Sequence, residues 1–216
     1  MGELSRIRKI LDGLRDPDEK VRQRSWEEVE KIAEYDISYL ARHRLYLRSL
    51  LWHRLKGVRE DAWKHLAVYK LLYVEGLKKT LSAKSDKVKI EAWSHYYDLL
   101  NLEIVTKDDL IKEREHFWKL LKSYYPTIRK RAWNVFPVLV KEGVFQKGDR
   151  ERYLSFMRSP KPGIRIKAWQ KAVVLVNLGF LTKEDISNNL SYINELLTKE
   201  SNIKKMAQRI LKVLGV

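Results

Sequence analysis

One short string recurs six times along this chain: Val21-Arg-Gln-Arg-Ser-Trp26, Val58-Arg-Glu-Asp-Ala-Trp63, Val88-Lys-Ile-Glu-Ala-Trp93, Ile128-Arg-Lys-Arg-Ala-Trp133, Ile164-Arg-Ile-Lys-Ala-Trp169 and a degraded Ile203-Lys-Lys-Met-Ala-Gln208. Each copy reads β-branched, basic, two variable positions, small, Trp. Successive Trp residues are 37, 30, 40 and 36 residues apart, and Gln208 follows 39 residues later. A period in this range belongs to helical repeat architectures, in which one supersecondary unit buries its apolar face against the next. Numbering the β-branched residue as position zero, apolar or small residues recur at positions zero, four, eight and eleven: Val21, Ser25, Val29, Ile32; Val58, Ala62, Leu66, Tyr69; Ile128, Ala132, Phe136, Leu139; Ile164, Ala168, Ala172, Leu175. That spacing is one buried stripe on an amphipathic helix.

A second amphipathic segment precedes each motif helix, at 3–14, 37–55, 107–122, 149–157 and 183–197, with a shortened version at 77–83 that accounts for the 30-residue step. The chain is therefore expected to be a single domain over 1–216, built from about six helical hairpins at 1–35, 36–76, 77–104, 105–143, 144–180 and 181–216. Boundary residues agree. Asp16-Pro17-Asp18-Glu19 supplies an N-cap, a first-turn Pro and an acid. Thr106-Lys-Asp-Asp109 and Thr182-Lys-Glu-Asp185 have capping-box form. Gly143 and Gly179 fall ten residues after their Trp, and Gly76 thirteen after, where a left-handed C-cap is expected. Pro126, Pro160 and Pro162 mark turns before motif helices, and Pro137 is expected to kink the helix that contains it.

The segment Leu14-Arg-Asp-Pro-Asp-Glu-Lys-Val-Arg-Gln-Arg-Ser25, followed by Val29 and Ile32, resembles the turn and second helix of a HEAT repeat. Later copies keep the Val/Ile-Arg/Lys-x-x-Ala core and mostly lose the Asp-Pro turn. The resemblance to the HEAT and armadillo class covers nearly the whole chain. It implies an all-α fold, a right-handed α-solenoid whose second helices line a concave face, with Gln208 marking a terminal repeat. Members of the class mostly bind proteins, some bind nucleic acids, and one branch, the HEAT-like alkylpurine DNA glycosylases, is enzymatic.

Charge directs the functional reading. The chain carries 44 Lys and Arg against 28 Asp and Glu, a net charge of +16. Between Trp118 and Ala172, fourteen basic residues face three acids, Glu142, Asp149 and Glu151, so 55 residues hold +11 of that excess. Such a field favours polyanions or acidic partner surfaces. Within each motif the basic residue and the Trp are four apart and share a helix face. The expected rungs are Arg22 with Trp26, Arg59 with Trp63, Lys89 with Trp93, Arg129 with Trp133 and Arg165 with Trp169. Lys130, Arg131 and Lys167 add charge in the basic window. If the concave face binds nucleic acid, DNA or RNA, these cations neutralise phosphates without reading sequence. An acidic protein segment is the alternative partner. The Trp residues equally suit packing between repeats, with the Arg stem covering the indole.

Signatures of catalysis are weak. His43, His53, His65, His95 and His116 have no metal-ligand spacing, and no Gly-rich phosphate loop or nucleophile elbow is present. Base excision needs a carboxylate beside a groove-facing Trp. One turn after the five Trp residues stand Glu30, Ala67, Tyr97, Pro137 and Val173, so only Glu30 qualifies, away from the basic window. No cofactor, metal or catalytic residue is expected. The segment Met1-Gly-Glu-Leu-Ser-Arg6 lacks signal-peptide form and the Ser or Thr of a myristoylation site, and the longest apolar run is too short to span a bilayer. The absence of cysteine fits a reducing, cytoplasmic setting, and a monomer is expected.

Overall fold

The computed structural model describes residues 2–199 and 201–216. The described residues form α- and 3₁₀-helices joined by short turns, with no strand among them. The chain divides into two compact units, Met1–Thr106 and Lys107–Val216. The boundary falls between the third and fourth repeats.

In the first unit, α1 (Glu3–Gly13) pairs with α2 (Glu19–Asp36). A 3₁₀ segment (Ile37–His43) and α3 (Arg44–Leu50) form the first arm of the second hairpin, and α4 (Lys56–Lys64) with α5 (Leu66–Leu71) form its second arm. In the third hairpin the first arm shrinks to the 3₁₀ segment Leu77–Ser82, followed by α6 (Asp86–Ser94) and α7 (Tyr96–Asn101). The shortened arm explains the 30-residue step. In the second unit, α8 (Lys107–Leu120) pairs with α9 (Pro126–Glu142). After a short 3₁₀ turn, α10 (Arg150–Met157) pairs with α11 (Pro162–Asn177). The last first arm is broken into α12 (Lys183–Ser187), α13 (Leu190–Asn194) and a 3₁₀ turn, and α14 (Ser201–Leu214) follows.

The apolar stripe is buried as its period requires. Val58, Ala62, Leu66 and Tyr69, and likewise Ile128, Ala132, Phe136 and Leu139, all lie in the core. In the first repeat Val21, Ser25 and Ile32 are only half-buried. Tyrosines stitch neighbouring helices: the hydroxyls of Tyr46, Tyr69 and Tyr153 donate to the carbonyls of Leu11, Leu47 and Ala168, each at 2.6 Å. Burial pushes the Tyr69 and Tyr153 phenols well above their usual pKa.

Several boundary expectations are refined. Asp18, not Asp16, caps α2, accepting from Lys20 N at 2.9 Å; Asp16 makes an Asx turn with Asp18 N at 2.8 Å. Thr182 and Asp185 form the expected capping box. Pro126 and Pro162 open α9 and α11, where a missing N–H costs nothing. α9 continues through Pro137. The left-handed C-cap falls ten residues after the motif Trp in four repeats, at Tyr73 (φ 54°), Glu103 (φ 56°), Gly143 (φ 89°) and Gly179 (φ 77°). Gly76, assigned that role from sequence, instead leads into the next 3₁₀ segment in left-handed conformation.

Tyr73 and Glu103 thus hold a conformation that costs an L-residue with a side chain about 1 kcal/mol or more. Both side chains point to solvent. Replacing Glu103 with Gly is expected to raise unfolding free energy by about 0.5–1 kcal/mol, the strain relieved less the added freedom of the unfolded chain. Urea denaturation of Glu103→Gly beside Glu103→Ala, which keeps a side chain in the strained conformation and should gain nothing, checks the sign.

Candidate nucleic-acid interface

The basic residue at position one does not face a groove. Arg22, Arg59, Lys89 and Arg165 are only 4–8% exposed. Arg22 donates from Nη1 to the carbonyls of Asp16 (3.0 Å) and Pro17 (2.9 Å), and from Nε to Asp61 (2.7 Å) of the next repeat. Arg59 repeats the arrangement one hairpin on. It donates to His53 O (2.8 Å) and Arg54 O (3.1 Å), and its Nε reaches both Glu91 oxygens (2.9 and 3.0 Å). Arg165 donates to Ser159 O (2.6 Å), Tyr192 O (3.1 Å) and Glu195 (2.6 Å). Lys89 lies 3.8 Å from Asp86. The local reason is the hairpin turn. Its carbonyls have no helical partner, and a side chain five or six residues later reaches them.

This corrects the expected phosphate track. Arg22, Arg59 and Arg165 are structural cations, buried and hydrogen-bonded, and Lys89 is buried beside Asp86; none is available to a ligand. A buried guanidinium would also lose its paired carboxylate on turning outward, at a cost of several kcal/mol. Gly57 is part of the first pair's geometry: a Cβ there would collide with the Arg22 guanidinium.

The aromatic rungs are corrected likewise. Trp26, Trp63, Trp93, Trp133 and Trp169 are all at most 1% exposed. Trp93, Trp133 and Trp169 donate their indole N–H to the carbonyl twelve residues earlier, those of Leu81 (3.0 Å), Leu121 (3.2 Å) and Met157 (2.9 Å). Each Trp therefore ties its helix to the end of its hairpin partner. Trp26 and Trp63 leave this N–H without a partner and are covered instead by histidine rings of the next repeat. His65 stacks on Trp26 at 4.4 Å and His95 on Trp63 at 5.1 Å. His65 Nδ1 lies 2.7 Å from Glu30 Oε1, so the carboxylate that base excision would require is engaged with a histidine beside a buried indole.

What remains of the expected site lies in the second unit. Lys130 is exposed, and Arg129, Arg131 and Lys167 are half-buried. Arg129 keeps the turn contacts, to Ser123 O (2.7 Å) and Tyr124 O (3.1 Å), but has no carboxylate partner among the described residues. The cause lies at position three of the motif. In the first unit this position supplies the acids Asp61 and Glu91; in the fourth and fifth repeats it is Arg131 and Lys167. The column was legible in the sequence, but its meaning depends on knowing that position three faces position one of the preceding repeat.

Helices α9 and α11 pack together, and α14 packs against α11. These three carry eleven Lys and Arg against one carboxylate, Glu142, whereas α2, α4 and α6 carry nine basic and ten acidic residues. The acids of the second unit sit largely on first arms, where Arg114 meets Asp149 (3.1 Å) and Arg152 meets Glu115 (2.6 Å). Lys130 on α9 lies close enough to Lys167 on α11 for their charges to interact, as does Lys171 one turn further along α11. Lys171, which sequence reading missed, donates to Asn134 at 2.9 Å. Burial, then the charge of Lys130, holds the Lys167 pKa below the usual lysine range. Burial, then Lys167, does the same for Lys171. Among the described residues no group of three His, Asp or Glu side chains is arranged to hold a metal, and no helix is long and apolar enough to cross a membrane. No known family model matches the chain, and no curated protein sequence matches it significantly.

Two outcomes follow from this geometry. Arg22→Ala should lower unfolding free energy by about 3–5 kcal/mol, because Asp61 is left buried with its charge unpaired. The double variant Arg22→Met/Asp61→Leu should recover most of that loss, as chemical denaturation would show. For Lys167, a lysine pKa lower in the folded state than in the unfolded chain means the charge opposes folding at neutral pH. That opposition disappears as pH rises through the folded-state value toward the ordinary 10.5. Any stability advantage of Lys167→Met over the wild type should therefore be largest near pH 7 and shrink toward pH 10.5; a gap that widens would contradict it.

Proposed function

We propose that this chain is a HEAT-like helical-repeat protein, its six hairpins stacked as a right-handed solenoid, that binds nucleic-acid backbone without catalysis and without reading sequence. The ligand lies along the second arms of the second unit, with Lys130, Arg131, Lys167 and Lys171 at its centre. The reading rests on one observation: the position that supplies a carboxylate to the preceding repeat's cation in the first unit supplies another cation in the second. Like charges held half-buried on facing helices raise the free energy of the empty face, and a polyanion relieves it. A backbone of evenly spaced phosphates suits a row of cations contributed once per repeat. The cations lie on helices, rigid elements that fix their spacing without presenting groups to base edges, so affinity without sequence preference is expected. A monomer in the cytoplasm suits a cysteine-free chain of this charge.

Binding should be read by fluorescence anisotropy with oligonucleotides of random sequence across a salt series. The logarithm of affinity is expected to fall linearly with the logarithm of salt concentration, by about 0.7–0.9 per phosphate engaged. Charge reversal at Lys130 and Lys167 together should weaken binding about tenfold or more and flatten the slope, with helicity unchanged. Affinity indifferent to salt and to these substitutions would refute the reading. A polyglutamate peptide that bound tightly where oligonucleotides did not would transfer the face to an acidic protein segment.

A further inference from the structure

We infer that the strand held by this face is single-stranded, with Tyr124 as the platform on which an unpaired base stacks. The inference deepens the reading that α9 and α11 bind nucleic-acid backbone, and rests on it. Three other tyrosines show what the fold ordinarily does with such a ring: Tyr46, Tyr69 and Tyr153 are buried wholly or in part, and each donates its hydroxyl to a main-chain carbonyl. Tyr124 does neither. It is 87% exposed, and its hydroxyl makes no hydrogen bond among the described residues.

Exposure here is not looseness of the chain. Arg129 donates to the carbonyls before and after the Tyr124 α-carbon, those of Ser123 and Tyr124, at 2.7 and 3.1 Å. Tyr125 N donates to Ser123 Oγ at 3.3 Å, and Pro126 opens α9 immediately afterwards. The Tyr125 ring stands edge-on to Tyr124, centroids 5.5 Å apart and planes at 86°. The turn therefore presents an aromatic face to solvent from a backbone pinned by Arg129, the one position-one arginine with no carboxylate partner among the described residues. Tyr35, Tyr73 and Tyr97 are also well exposed, but they lie in the first unit, where the position-one arginines are paired with acids. Tyr124 and Tyr125 instead lie at the turn held by Arg129, which has no carboxylate partner among the described residues, and Lys130 stands six residues after Tyr124. A ring beside phosphate-binding cations offers stacking to any base that is not already stacked, and bases within a duplex are. Lys130, Lys167 and Lys171 hold the backbone; the ring selects its state.

The test uses the whole chain with a single strand and a duplex of equal length and sequence, by anisotropy at fixed salt, with 2-aminopurine in the single strand as a stacking probe. Wild type should bind the single strand more tightly and quench the probe. Tyr124→Ala should weaken single-strand binding about five- to tenfold and abolish the quenching, whereas Tyr124→Phe should preserve both, since the ring and not the hydroxyl acts. Tighter binding of the duplex, or a Tyr124→Ala variant that binds the single strand and quenches as the wild type does, would overturn the inference. In that event, loss of all binding on charge reversal of Lys130 and Lys167 would leave the backbone site standing. Full binding after that reversal would bring down both.

Discussion

The first unit depends on a buried cation that performs two tasks at once. The position-one arginine closes its own hairpin turn by donating to two carbonyls, and grips the next hairpin through a carboxylate, as Arg22 does with Asp61 and Arg59 with Glu91. A hydrophobic contact could hold two hairpins together but would not fix how far one slides along the next. A guanidinium with fixed donor directions sets that register. Its burial is tolerable because its hydrogen bonds are largely met, two by the turn and one or two by the acid. Trp complements it one turn further along the same helix, tying the motif helix to the end of its partner arm or accepting a histidine ring from the next repeat.

The second unit keeps the turn-closing half of this device and gives up the other half in its fourth repeat. Arg129 still holds the carbonyls of Ser123 and Tyr124, yet position three of the following repeat is Lys167. Packing there falls to a denser aromatic core, in which Phe117, Trp118, Phe136, Phe145 and Tyr153 meet at centroid distances near 5–6 Å. Cations released from structural pairing accumulate on α9 and α11. Stability and charge are thereby separated: the aromatic core holds the unit together, and the second arms carry a surface whose counter-charge must come from elsewhere.

Much of this organisation is readable from residues alone, and the failures have a common physical origin. Helical arms were legible because the 3.6-residue period records which face is buried, and Pro126 and Pro162 fix helix starts by their own geometry. The left-handed caps were half legible: Gly143 and Gly179 announce themselves, whereas Tyr73 and Glu103 occupy the same position without a glycine. Asp18 took the cap expected at Asp16, a shift of two residues that hydrogen bonding decided and composition could not. The larger error concerned the rungs. Residues four apart do share a helix face, but whether that face meets solvent or a neighbour depends on the packing partner. Five Trp residues and four of five position-one cations proved to be interior.

The sequence by itself determined the periodic helices, their apolar stripe, the pairing of arms into hairpins and the concentration of positive charge after Trp118, because each of these follows from local spacing or simple counting. Tertiary structure alone decided which cations are spent inside and which remain outside, because a charge is neutralised by a group brought near in space. Arg59 and Glu91 are 32 residues apart in the chain and 2.9 Å apart in the fold. Among the described residues Arg129, in the same motif position, finds no such acid, and no property of Arg129 itself distinguishes the two.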